Sequence, residues 1–262
     1  MEQSINKNRI EIAAVLLGVV LGVLGFILPL KVLIIAAGGI AGLIVVLWKY
    51  EIGVYAVVAL IPLAPTMVVA GMIMLTFLSY LLKLYRERSF SFRITSLDIL
   101  VLIFASVLVY SSITSYTFKS SIMVLMMHIA FIIFYFILTN TIKTREQLFM
   151  LVALLVLTTT IAALYGLYQY KFVGSTSESW VDTTMFTDIR SRVVSTFDNP
   201  NIFGEYLVLI IPLSVAMLWG SKGWLSKIAV SGFTAVMLGA LLVTYSRGAY
   251  VGIMLALGIF AV

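Results

Sequence analysis

The chain has 262 residues, of which 62% are hydrophobic and only 11% charged, and its mean hydropathy is +1.15. A water-soluble domain averages about 45–50% apolar and about 25% charged residues, so an ordinary soluble globule is excluded. The formal net charge is +6 and there is no cysteine, which rules out disulfides, thiolate metal sites and cysteine nucleophiles.

Hydropathy predicts an all-α, polytopic integral membrane protein: one multi-span domain over 1–262 with about ten transmembrane helices. The apolar segments are 10–28, 32–48, 52–64, 66–84, 97–115, 121–139, 147–169, 201–219, 228–245 and 248–262. Lys7 and Arg9 precede the first, which is too long for the apolar part of a signal peptide and reads as an uncleaved span. Gly18, Gly22 and Gly25 in it, and Gly38 and Gly42 in the next, have the spacing that lets helix backbones approach closely. "IPLAPTMVVAG" reads as a tight turn at Pro62 and Pro65 between two short spans, or as one kinked helix; two spans keep the charge pattern consistent and are preferred. The last segment stops within "GIMLALGIFAV", which predicts a chain truncated at its C-terminus.

Lys and Arg in short loops set orientation. With the N-terminus in the cytoplasm, the basic run "KLYRERSFSFR" (83–93), Lys49, Lys143, Arg145, Lys222 and Lys227 fall inside. Lys31, Lys119, Lys171, Arg190, Arg192 and Arg247 fall outside. The one long connection, 171–200, is then an extracytoplasmic loop, polar and bearing Trp180. The expected partner is the lipid bilayer. Basic residues scattered over short loops give no support for nucleic-acid binding.

Polar groups at a membrane boundary are costly unless something holds them. In "RSRVVSTFDNPNIFGEYL", Arg190 and Arg192 read as interfacial charges snorkelling to headgroups, or as forks of donors suited to phosphate oxygens. Arg247, in "TYSRGAY", returns to the same face. Its bland reading is a loop arginine in a turn supplied by Gly248. Asn201 is expected to cap the eighth span, with Pro200 setting the chain direction before it. That leaves Asp198, Asn199 and Glu205 to be explained; Glu205, one turn inside the span, is expected to pair with an arginine, or else to act as a general base. His128 is the sole histidine and sits mid-span, expected to be buried and hydrogen-bonded. Gln169 and Tyr170 stand where they can line a site. Glu178, Asp182, Asp188 and Asp198 show no metal-ligand spacing, and no phosphate-cradling loop, dinucleotide fingerprint or HExxH is present.

The pattern R-x-x-S-T-F-x-N-P-N from Arg192 to Asn201, followed by S-R-G at Ser246–Gly248, resembles the bacterial O-antigen ligase and polymerase family. The resemblance implies a glycosyltransferase of the outer face of the plasma membrane. Its donor would be a glycan on an undecaprenyl diphosphate carrier, its acceptor a hydroxyl on a glycan or lipid, with no cofactor and no metal. It further implies that Arg192 and Arg247 hold the diphosphate leaving group; Asp198, Asn199, Asn201 and Glu205 are expected to shape the substrate-binding site, and Arg190 to be a third phosphate contact or only a solvated charge. The family's base, a histidine in a later outer loop, has no match in this chain. Transport of a small anion such as bicarbonate, and a non-catalytic membrane scaffold, are the alternatives; few polar residues lie mid-span, which disfavours transport.

Overall fold

The computed structural model describes residues 29–87, 92–173 and 192–261. These residues are helical with no strand among them. The expected first span, with Gly18, Gly22 and Gly25, and most of the long loop, with Arg190 and Trp180, lie outside the described residues.

The chain divides into two compact units between Lys49 and Tyr50. The described part of the first is α1, Leu30–Trp48. Among the described residues, a side chain added at Gly38 or Gly42 would meet nothing within 4 Å.

In the second unit, α2 (Tyr50–Leu60) and α3 (Thr66–Glu87) are separate helices packed on each other. They are antiparallel: Lys83 Nζ lies 3.1 Å from Glu51 Oε1, and the Tyr50 and Tyr80 rings meet at 5.1 Å. The Pro62–Pro65 stretch is therefore a turn, not a kink. Pro62 lacks the N–H that would continue α2, and the Pro65 carbonyl accepts the first bonds of α3.

Next come α4 (Asp98–Ile113), α5 (Phe118–Thr141) and α6 (Arg145–Tyr168), the last extended by a π-helical turn over Gln169–Val173. Asp98 anchors the start of α4 by accepting from the Thr95 N–H at 2.9 Å and the Tyr135 hydroxyl at 2.8 Å. Thr144 and Gln147 form a reciprocal capping box on α6, satisfying two backbone donors at once. The chain ends with α7 (Pro200–Gly220), α8 (Trp224–Leu242) and α9 (Arg247–Ala261).

Two apolar cores share α6. One gathers α2, α3 and α5 around Val54, Val57, Ile73 and Phe134. The other gathers α7, α8 and α9 around Phe203, Leu207, Met237 and Leu241. Outward faces are apolar as well: Leu209, Met126 and Leu255 are exposed. A helix apolar all round needs an apolar surrounding. Among the described residues, 5 helices are long and apolar enough to cross a membrane: α3, α5, α6 with its π turn, α7 and α8. They are compatible with a lipid bilayer.

His128 is hydrogen-bonded as expected, its Nδ1 2.8 Å from the Val124 carbonyl of its own helix, but it is exposed rather than buried. Its position on α5 turns the ring outward; the intrahelical bond satisfies one ring nitrogen without a partner from another helix.

Candidate functional site at the start of α7 and α9

Pro200 occupies the first helical position of α7, where a missing N–H costs nothing. That makes Asn199 the cap: its Oδ1 accepts the Asn201 N–H at 2.8 Å. The expectation that Asn201 caps the helix is thus corrected by two residues, to Asn199. Asn201, released from capping, accepts from Arg192 Nη2 at 2.6 Å.

Arg192 also donates through Nε to the Thr244 carbonyl at 3.0 Å, and the neighbouring Val193 N–H donates to the Val243 carbonyl at 3.2 Å. Thr244 belongs to the turn between α8 and α9. Arg192 therefore bridges the first turn of α7 to the turn that delivers Arg247, the exposed first residue of α9. The two helices cross closely at Gly204, where an added Cβ would stand 3.0 Å from the Ala249 Cβ and 3.2 Å from the Ser246 Cβ. This contact brings two helix N-termini and two arginines to one end of the bundle. Each N-terminus carries a partial positive charge, so the region favours an anion. Partial burial lowers the Arg192 pKa from its ordinary value, opposed by its interaction with Tyr250; a guanidinium remains protonated at neutral pH regardless.

The loop carrying Arg192 dips into the bundle. Ser195 Oγ donates to the Ala162 carbonyl at 2.6 Å, about 10 Å down α6 from Gln169. The buried Gln169 amide pairs with the Ser195 backbone in both directions, accepting its N–H at 2.9 Å and donating to its carbonyl at 3.1 Å. Thr196 Oγ1 donates to the Pro62 carbonyl at 2.6 Å, tying the loop to the α2–α3 turn. Gly166 makes room: a Cβ there would be 2.9 Å from Val193 Cγ1 and 3.2 Å from Phe203 Cε1. Phe197 stacks on Phe203 at 5.5 Å and meets the Tyr206 ring in a tilted contact at 5.0 Å.

Two non-glycine residues among those described have positive φ, Ser195 (55°) and Tyr245 (50°). Such conformations cost roughly 1–3 kcal/mol and gather where function requires a fixed backbone. Here one sits three residues after Arg192 and the other two before Arg247. The turn before α9 thus owes its left-handed residue to Tyr245, not to Gly248, which lies inside the helix. Tyr245 Oη lies 3.4 Å from Tyr170 Oη, and that bond, with burial, raises the Tyr245 pKa.

Asp198 and Glu205 are exposed at the same helix start. Glu205 forms no ion pair among the described residues, so its expected arginine pairing is not made there. Arg190 lies outside the described residues. Gln169 and Tyr170 do join the site. Ser195 and Thr196 join it from the S-T-F part of the motif, and Tyr245, Gly166 and Gly204 join it without having been singled out; isolated glycines in otherwise apolar helices were the available signal for the last two.

The asparagine assignment predicts a separable pair of effects. Asn199→Ala removes the cap and lowers stability by about 1 kcal/mol. Asn201→Ala leaves the cap intact and loosens Arg192, lowering anion affinity with little change in melting temperature. Thermal unfolding in detergent and ligand titration distinguish them; equal effects on both readouts contradict the assignment.

No family model matches the chain, and neither a curated protein nor a solved structure does.

Proposed function

We propose that this protein is a multi-pass transferase of about ten spans in the bacterial plasma membrane, with its N-terminus cytoplasmic. It moves a glycan from an undecaprenyl diphosphate carrier to an acceptor hydroxyl at the outer face, as in O-antigen ligases and polymerases. The observation that carries this is the fixed Arg192 fork, held by Asn201 and Thr244 beside Arg247 and two helix N-termini.

In the reaction, the acceptor oxygen bonds to the anomeric carbon as the bond from that carbon to the diphosphate oxygen breaks. The electron pair leaves with the diphosphate. Donors already fixed in place stabilise that growing charge without reorganising. Arg192 and Arg247 hold the leaving group, Asn201 and the Thr244 carbonyl orient Arg192, and Asp198, Asn199 and Glu205 border the site. The acceptor proton passes to a base not assigned to this chain; His128, mid-α5 with its ring on its own helix, is not a candidate.

The test is reconstitution of the full chain in liposomes with a lipid-linked glycan and an acceptor. Glycan transfer without anion flux is expected. Bicarbonate flux in vesicles free of lipid-linked sugar, with no transfer, replaces this function by anion transport.

A further inference from the structure

At the opposite end of the bundle from the arginine loop, α3 and α4 both pack on α5, and a cleft of about 380 Å³ opens between them. Phe77 and Tyr80 of α3, Leu102 of α4, and Ile133, Phe136 and Ile137 of α5 line it, with Phe92 at one end. Leu102 and Phe92 are exposed, so the cleft opens at the lipid-facing surface rather than inside the protein. Its volume lies in the range of sites that bind small molecules, about 300–1,000 Å³.

The residues at its mouth are built, not incidental. Asn140, only 6% exposed, donates to the Phe136 carbonyl at 2.8 Å and accepts the Arg93 N–H at 2.7 Å. That bond fixes the segment entering α4. It sets Phe92 against Phe136, ring centroids 5.9 Å apart, and leaves Arg93 exposed immediately beside the cleft. Lys83 and Arg86 follow Tyr80 on α3, and Lys143 and Arg145 follow Asn140 beyond α5, so the rim is basic. Glu51 and Glu87 engage Lys83, whereas among the described residues neither Arg93 nor Arg86 forms an ion pair.

We propose that this cleft is a binding site for one anionic phospholipid of the leaflet that meets the basic end. One acyl chain lies along Phe77, Leu102, Ile133 and Phe136, and the phosphate faces Arg93. An apolar channel ending in cations matches a molecule that is apolar along its length and anionic at its head; a zwitterionic lipid fills the same channel but gains less from the rim. The site is distinct from the arginine loop and rests on the membrane assignment alone, not on glycan transfer.

The experiment is native mass spectrometry of the purified full chain titrated with phosphatidylglycerol or with phosphatidylcholine of identical chains. One phosphatidylglycerol should bind more tightly than phosphatidylcholine. Arg93→Gln, a surface substitution that spares the fold, should weaken phosphatidylglycerol by about fivefold and leave phosphatidylcholine unchanged. Leu102→Trp, which fills the cleft from an exposed position, should weaken both lipids. Equal binding of the two lipids by the unaltered protein, or phosphatidylglycerol binding unaffected by both substitutions, overturns the proposal.

Discussion

Arg192→Ala is expected to lower glycan transfer by about two to three orders of magnitude, the cost of removing one donor aimed at developing negative charge. Stability should fall much less. The substitution removes bonds to the Thr244 carbonyl and to Asn201 Oδ1, but the loop keeps its ties through Ser195 to Ala162, Gln169 to Ser195 and Thr196 to Pro62. Arg192→Lys should not restore activity. An ammonium is a point charge without the planar fork that reaches two acceptors on separate elements, here the α8–α9 turn and the first turn of α7. A stably folded Arg192→Ala protein that transfers glycan at the unaltered rate would remove this arginine from the mechanism. Arg247→Ala is the companion measurement. Its guanidinium stands at the start of α9, so its loss should reduce transfer with little effect on packing.

The second large effect comes from a residue with no chemistry. Gly204 lets α7 and α9 cross where any Cβ would be 3.0 Å from the Ala249 Cβ. Gly204→Val forces the helices apart at the point where their N-termini meet. Overpacking of this kind costs about 1–3 kcal/mol, seen as a lower melting temperature in detergent. It should also reduce transfer more than the stability loss accounts for, because separating the helices separates Arg192 from Arg247. The milder Gly204→Ala should be partly rescued by Ala249→Gly, which removes the atom it meets. If Gly204→Val melts like the unaltered protein, the helices do not cross as described.

Much of the fold is legible in the sequence because each helix is a continuous apolar run with its boundary in the residues themselves. Pro62 and Pro65 end one helix and begin the next, and only the packing of α2 on α3 decides between a turn and a kink. The site is half legible. Arg192, Asn199, Asn201 and Arg247 announce themselves as polar groups beside apolar runs. Their division of labour does not. Whether Asn199 or Asn201 caps α7 depends on where Pro200 falls in the first turn, a difference of two residues that hydropathy does not resolve. The support beneath the arginines is harder still. Gly166 and Gly204 look like other glycines in apolar helices, and the glycine pattern that does stand out, at Gly38 and Gly42, meets no neighbour within 4 Å among the described residues. Left-handed backbone at Ser195 and Tyr245 is invisible to any propensity argument, because tertiary bonds impose it on residues that do not favour it.

The central claim is that Arg192 and Arg247 together bind a lipid diphosphate. The most direct measurement is the affinity of the full chain in nanodiscs for undecaprenyl diphosphate and for undecaprenol, in the unaltered protein and in Arg192→Ala and Arg247→Ala. The expected result is that the unaltered protein prefers the diphosphate and that each substitution weakens it by about tenfold or more, without changing the affinity for undecaprenol. Equal affinity for the two lipids, or an unchanged diphosphate affinity in both variants, would contradict it.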